Sequence, residues 1–389
     1  MKNILFSLMI ILLRASAGYA QAAEIYGYFE PQYNGVYFDD DYYQFQSNKL
    51  RVDLKSTVVA NTEIGADIIF LLYHGKTDWN ILDFLPEPVS STVPPELRPL
   101  FALSYQDTFY LDNVYARFAV NRFALTLGKQ QISLGTGYFA NPTDIFNTKD
   151  AFDPTYEQSG HNGIRMDLLL SHRMSVMALY APIEFDLENS GKLLRLKLGL
   201  GHYDFSLLTS ESQYTTTDFY TFQTKEQRRR MVGGDIVGEL LGMGLWAEGM
   251  YSFLEEDDNF YEWIVGTDYT FETGLYTMIE YHHNALAESN HENYDLNDWM
   301  RFFVGETKTI PRDQIYGLIN YPLTDMMNIG TSVIVGISEW SAAIVPMIQY
   351  SLFNNVELTL MGNIYVGEEG TTYSSTLGNG GFLRANVYF

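Results

Sequence analysis

Alternation between apolar and polar positions runs along almost the whole chain. Leu50, Val52 and Leu54 interleave with Lys49, Arg51, Asp53 and Lys55. Ile164, Met166, Leu168 and Leu170 interleave with Arg165 and Asp167, and Leu194, Leu196, Leu198 and Leu200 with Arg195, Lys197 and Gly199. Near the C-terminus Val356, Leu358, Leu360 and Ile364 interleave with Glu357, Thr359 and Asn363. A period of two puts successive side chains on opposite faces of a strand, so each segment predicts a strand with one apolar and one polar face. A soluble sandwich alternates as well, but it does not need charges in register on the second face of strand after strand. A barrel in lipid does, with hydrocarbon outside and water inside. Closure also lets every backbone group find a partner without an exposed edge. The pattern predicts an all-β fold, a transmembrane antiparallel meander barrel of about 18 strands starting near Glu24.

Connection lengths support the same reading. Long connections are expected near 35–45, 75–107, 132–160, 182–191, 213–226, 254–259, 284–309 and 367–378. Tight turns are expected near Asn61, Asn121, His172, Gly201, Gly242, Thr273, Tyr321-Pro322 and Asn354-Asn355. The Ser338-Glu339 connection is short although its parity makes it extracellular. Long and short connections alternate as in barrels with short periplasmic turns and longer outer loops. Tyr261, Trp263, Tyr269 and Tyr281 fall near strand ends, where interfacial girdles sit, although aromatic residues also favour strands for their own sake.

Composition narrows the class. Aromatic residues make up 15% of the chain, with 29 Tyr and 25 Phe, and there is no cysteine. Disulfides and thiolate metal sites are therefore absent from the options. The formal net charge of −24 argues against nucleic acid as a partner. Lys2, the apolar run Ile4 to Leu13 and the small residues before Ala22 read as a secretory signal, because the run is too short to span a bilayer. The expected organisation is a signal peptide over 1–22 and one transmembrane barrel over 23–389, located in the outer membrane. Outer-membrane lipid and lipopolysaccharide are then its surroundings.

Strand parity assigns the lumen. Lys49, Arg51, Lys55, Arg117, Arg165, Arg195, Lys197 and Arg229 form a basic set in the first half. Glu248, Glu262, Asp268, Glu280 and Glu357 form an acidic set in the second, with Arg312 and Arg384 as exceptions. Neighbours in sequence are neighbours in a meander, so a basic wall faces a more acidic one. Such a lumen has a transverse field that sorts charged solutes. In the alternative, Asp53, Asp167, Asp235 and Glu239 pair with these bases as structural ion pairs.

Acidic clusters at Asp39-Asp40-Asp41, Glu184/Asp186/Glu188, Glu255-Glu256-Asp257-Asp258 and Glu288 to Asp298 lack the spacing of a calcium loop and read as solvated. His282-His283 and His291 stand near Glu280, Glu288 and Glu292, yet their spacing defines no metal site. Ser133 and Ser159-Gly160-His161 make no nucleophile elbow or triad. No cofactor, metal or enzymatic activity is expected.

Between Leu125 and Asp150 a strand breaks into a Gly/Asn/Pro-rich stretch through Gly135, Gly137 and Asn141-Pro142, residues that set special backbone angles. Gly128-Lys129-Gln130, Leu134-Gly135 and Asn141-Pro142-Thr143-Asp144 resemble a motif of Gram-negative porin-like barrels, including the alginate-export type. Leu134 stands where that pattern has Trp. The resemblance implies a passive channel whose third loop folds into the pore, with Lys129, Gln130, Gly135, Gly137, Asn141, Pro142 and Asp144 shaping the constriction. It implies passage of charged hydrophilic solutes, small or polymeric. The last strand, ending at Phe389, resembles the signal read by the barrel-assembly machinery. The alternative is a barrel plugged by its own loops, an adhesin or a sheath for a partner such as an electron-transfer cytochrome.

Overall fold

The computed structural model describes residues 23–38, 40–150, 152–153, 155–183 and 186–389, with only the backbone of 186–188. The expected signal segment, Asp39 and Glu184 lie outside the described residues, as do the side chains of Asp186 and Glu188. The chain opens with β1 (Glu24–Phe38), β2 (Asp41–Val59) and β3 (Thr62–Gly75). A small separate ribbon follows, β4 (Asp78–Asn80) paired with β5 (Ala102–Ser104). Then come β6 (Thr108–Val120), β7 (Phe123–Gln130), β8 (His161–Ser171), β9 (Met174–Ile183) and β10 (Asp186–Leu200). The longest hairpin is β11 (Tyr203–Asp218) with β12 (Gln223–Leu240). The remaining strands are β13 (Met243–Leu254), β14 (Phe260–Thr270), β15 (Tyr276–Asn284), β16 (Asp313–Thr324), β17 (Met327–Gly336), β18 (Ser341–Phe353), β19 (Val356–Val366) and β20 (Asn379–Tyr388).

Apart from the β4–β5 ribbon, the strands form one 18-stranded sheet in which each strand pairs antiparallel with its sequence neighbour. β1 also pairs with β20, Tyr28 opposite Tyr388 and Gln32 opposite Arg384, and this pairing closes the ring. The barrel is therefore an 18-stranded antiparallel meander of the outer-membrane type. Its two faces are those the alternation predicts. On β13 Trp246, Glu248 and Met250 are buried inward while Tyr251 and Phe253 are exposed. On β14 Glu262 and Ile264 are buried while Tyr261, Trp263 and Val265 are exposed. Exposed apolar side chains recur on strand after strand around the outside, which in water would be a severe liability and in hydrocarbon is a match.

Several connections differ from expectation. The strands of β1 and β2 stay paired to Phe38 opposite Asp41, so 35–45 is a long hairpin and not an open loop. β9 reaches Ile183 and β11 reaches Asp218 in the same way. Polar composition beyond the membrane resembled loop sequence, but cross-strand hydrogen bonding continues there. The turn expected at Tyr321-Pro322 lies later, at Asp325-Met326, and both residues belong to β16. Pro322 sits beside a register shift that ends at Thr324, an irregularity that tolerates a residue without an N–H.

Two outer connections fold over the barrel mouth. Leu82, Leu85, Val89, Val93 and Phe101 from 76–107 pack with Tyr294, Leu296, Trp299, Met300 and Ile310 from 285–312, and with Phe219 of the β11–β12 hairpin. The second connection carries a short helix, Leu296–Phe303. Its start is fixed by a capping box in which Asp295 accepts from the Asp298 N–H and Asp298 accepts from the Asp295 N–H.

Candidate functional site

The connection from β7 to β8, residues 131–160, is bonded to inner-wall side chains on the far side of the ring. Its geometry is fixed first at Gly128, whose φ is +116°. A Cβ there would lie 2.2 Å from the Val114 carbonyl oxygen, so only glycine fits. The Gln130 side-chain amide donates to the carbonyls of Gly163 at 3.2 Å and of Thr126 at 3.4 Å, tying the loop's origin to β8. Ile132 and Leu134 are buried against Leu179 and Leu193 of the near wall, with Ile145 and Phe146 packed beside them.

Asp144 knots the loop upon itself. One carboxylate oxygen accepts from the backbone N–H groups of Phe146 at 3.0 Å and Asn147 at 3.1 Å. The other accepts from Leu134 N–H at 3.2 Å and from the Asn147 amide at 2.9 Å. The Asn141 side chain donates to the Leu134 carbonyl at 3.0 Å. Pro142 is buried between these two polar residues. The Asn-Pro-Thr-Asp stretch thus supplies the side chains that fold the loop's own backbone.

Two buried carboxylates of the far wall hold the tip. Glu248 on β13 accepts from Thr136 N–H at 2.6 Å, Thr143 N–H at 2.7 Å and the Thr143 hydroxyl at 2.7 Å. Gly135 has φ +79°, and a Cβ on it would lie 2.5 Å from the Glu248 carboxylate. A Cβ on Gly137 would lie 1.8 Å from the Ala140 carbonyl oxygen. Glu280 on β15 accepts from Tyr138 N–H at 2.9 Å, Phe139 N–H at 2.8 Å and Trp246 Nε1 at 2.6 Å. Phe139 stacks on Tyr316 with ring centroids 5.6 Å apart. Each carboxylate gathers several N–H donors in a buried place, where such charge-assisted bonds are strong. Lys308, from the capping connection, donates to the carbonyls of Asn141 and, at 3.2 Å, of Asp144.

The return leg crosses to β20, β1 and β2. Arg384 holds Asp153 through two bonds, of 2.8 and 3.2 Å, and also reaches Thr155. Glu157 takes the Tyr28 hydroxyl at 2.6 Å and the cations of Lys49 and Arg51, each at 3.1 Å. Burial pushes the carboxyl groups of Asp153 and Glu157 up, but these partners outweigh it and hold both below the usual carboxylate range.

The expected basic residues are mostly tied to carboxylates. Arg51 binds Asp53 at 2.8 Å and Asp67 at 2.9 Å, Lys55 meets Glu63 at 3.2 Å, and Arg165 meets Asp167 at 2.9 Å. Arg195 binds Asp235 at 3.0 Å, with Lys197 two positions along the same strand. Arg117 stands opposite Glu63 in register. Arg229 lies over the rings of Tyr214 and Phe260 and donates to Ser252 at 2.8 Å. Of the acidic set, Glu262 pairs with His282 at 2.8 Å and Asp268 accepts from the Tyr276 hydroxyl at 2.9 Å. Glu357 lines a cavity of about 170 Å³ with Glu30, Lys49, Glu157 and Arg384. Lys129 is on β7 itself, its ammonium on the Leu111 carbonyl at 2.8 Å.

His282 and His283 point to opposite faces, the second to Asp313 at 2.7 Å, so they do not converge. Among the described residues no cluster of His, Cys, Asp or Glu has metal-holding geometry. Sequence reasoning missed Lys308, Asp153, Glu157, Trp246 and Thr143 as loop anchors. All but Trp246 lie in connections where no periodicity marks which way a side chain points.

Known proteins share the fold at low sequence identity. The sequence matches no protein-family model and no curated protein. The solved structure of OccAB1 from Acinetobacter baumannii superposes with a TM-score of 0.61 at 10% identity, covering 96% of this chain and 98% of its own. A BenF-like porin from Pseudomonas fluorescens gives 0.60 at 8% identity, covering 96% and 100%. OpdL of Pseudomonas aeruginosa gives 0.58 at 10% identity, covering 95% and 99%. The chain is a porin-like outer-membrane barrel by fold, and these likenesses give no support to the alginate-export type.

Proposed function

We propose that this barrel is a passive channel for small, charged hydrophilic solutes, with residues 131–160 forming its constriction. The observation that carries the reading is the two-sided attachment of that loop. It leaves β7, is gripped by Glu248 and Glu280 on one wall, and is gripped again by Arg384, Lys49 and Arg51 on another. A segment held at so many points narrows a lumen without needing a cofactor or an energy source.

Two cavities flank the loop. One of about 320 Å³ lies between Asp144 to Thr148 and the wall residues Tyr214, Arg229, Phe260 and Glu262. Another of about 370 Å³, with a more apolar lining, lies between Phe139 to Phe152 of the loop and the C-terminal end of the helix at Phe302 and Phe303. Spaces of this size suit small solutes. Ion pairs along the walls leave a lining of fixed dipoles and a few less neutralised cations, Lys197 and Arg229 among them, which orient a charged solute as it passes. The test is swelling of liposomes that carry the purified barrel, using amino acids and neutral sugars of increasing size. Entry of the smallest solutes, with a size cut-off raised by deletion of 136–148, supports the proposal. No swelling with any solute contradicts it.

A second reading, a barrel plugged by its own loops and serving a partner, is favoured by one observation. The apolar cap built by Leu82, Phe101, Trp299 and Met300 covers the mouth from outside. Absence of both swelling and ion current would favour that reading.

A further inference from the structure

We propose a binding site on the outer wall for the phosphate group and an acyl chain of a phosphorylated glycolipid of the lipopolysaccharide class. The carrying observation is a single cross-strand row at the extracellular end of β10 to β13. Lys192 is opposite Glu211, Glu211 is opposite Arg230, and Arg230 is opposite Phe253. All four point outward, since the next residues inward, Leu193, Ser210 and Met231, are buried. The row below it is Leu194, Thr209, Val232 and Tyr251, followed by the half-buried Leu196 and the exposed Leu207.

A chain with a net charge of −24 therefore places two exposed cations at the upper rim of its lipid-facing surface. The Arg230 side chain is 65% exposed and that of Lys192 is 45% exposed. Glu211 accepts from Lys192 at 3.1 Å and from Arg230 at 3.0 Å, which fixes the two cations on either side of one carboxylate. Arg228 stands one outward row higher, opposite Gln213. Tyr251 and Phe253, with ring centroids 4.8 Å apart, mark the level as that of an aromatic girdle, where headgroups begin.

The row is also the head of a groove. A cavity of about 410 Å³ is lined by Lys192, Glu211 and Arg230 at one side and by Ala178, Leu194 and Thr209 at the other. The guanidinium fork suits phosphate oxygens, the ammonium adds a second positive charge, and the apolar side faces hydrocarbon. Headgroup phosphate and acyl chain are both needed to use both ends, which favours a lipid over a free anion. This site is separate from the lumen and does not rest on the proposed channel activity.

Native mass spectrometry of the full-length folded barrel in detergent tests it, with diphosphoryl lipid A, dephosphorylated lipid A and inorganic phosphate as probes. The site predicts adducts with diphosphoryl lipid A that are weakened by about tenfold or more in the K192E/R230E double variant. Arg122→Glu, on the turn after β6 at the other end of the barrel, should bind as the unsubstituted protein does. K192Q/R230Q guards against a folding defect, with heat-dependent electrophoretic migration reporting the intact barrel. Equal binding of dephosphorylated lipid A overturns the phosphate part. Displacement of the lipid by millimolar inorganic phosphate overturns the lipid as occupant. Unchanged binding in both double variants overturns the site.

Discussion

Replacing Glu280 with alanine strikes the loop at its most enclosed anchor. The carboxylate is fully buried and accepts from the Tyr138 and Phe139 N–H groups at 2.9 and 2.8 Å, from Ala140 N–H at 3.3 Å and from the Trp246 indole at 2.6 Å. Hydrogen bonds to a charged group contribute about 1.5–3 kcal/mol each, and an orphaned buried donor costs about 1–3 kcal/mol. The full sum does not fall on the docked state, because the freed tip can rehydrate while Glu248 and Arg384 still hold their own segments. A weakening of about 3 kcal/mol is a conservative figure, and it corresponds to roughly a hundredfold shift toward the undocked tip. Hydrogen exchange of peptides covering 136–143 reads this directly, with exchange about a hundredfold faster in the variant. Glu280→Gln keeps one acceptor oxygen but turns an NH₂ toward backbone donors, so it should fall between the two. Unchanged exchange in a variant whose barrel is intact would refute the anchoring argument.

Other consequences follow from the same geometry. Asp144→Ala removes the acceptor shared by Leu134, Phe146 and Asn147, and should loosen the loop by about 1–3 kcal/mol without lowering the barrel's heat resistance in electrophoresis. Gly128→Ala forces a Cβ against the Val114 carbonyl at a positive φ, so the yield of folded barrel on refolding should drop. Asp298, in the cap, is pushed up to about 6 by burial; the hydrogen bond from the Asp295 N–H and the charge of Arg301 oppose the rise, and the charges of Asp295 and Glu288 add to it. Its carboxyl binds protons more tightly in the docked cap than in a freed one. The cap should therefore gain stability as pH falls from 7 toward 5, seen as slower exchange over 296–303 after correction for intrinsic rates, and Asp298→Asn should flatten that dependence.

The barrel was legible in the sequence because one rule, alternation, serves every strand. Glu248, Ile264 and Glu280 are inward for the same reason that Leu194 and Val265 are outward. Hairpin tips were less legible, since residues such as Gln44 and Thr215 look like loop by polarity yet stay in register above the membrane. Lumen chemistry was the least legible. Parity placed Arg51 and Arg195 inside and offered Asp53 and Asp235 as ionic partners, which the structure pairs with them, but only three-dimensional neighbours show that Asp67 also shares the charge of Arg51. Glu248 and Glu280 read as wall charges for solute, and the structure places them under backbone N–H groups of the loop. Their partners come from residues more than a hundred positions earlier, a separation no periodicity records.

Single-channel current through the purified barrel in planar bilayers, compared with the same barrel lacking 136–148, tests the central claim most directly. A lumen narrowed by the loop gives discrete, steady conductance steps in the intact protein and larger ones after the deletion, with both proteins retaining heat-dependent migration. Absence of current at every voltage, or a conductance unchanged by the deletion, would contradict it.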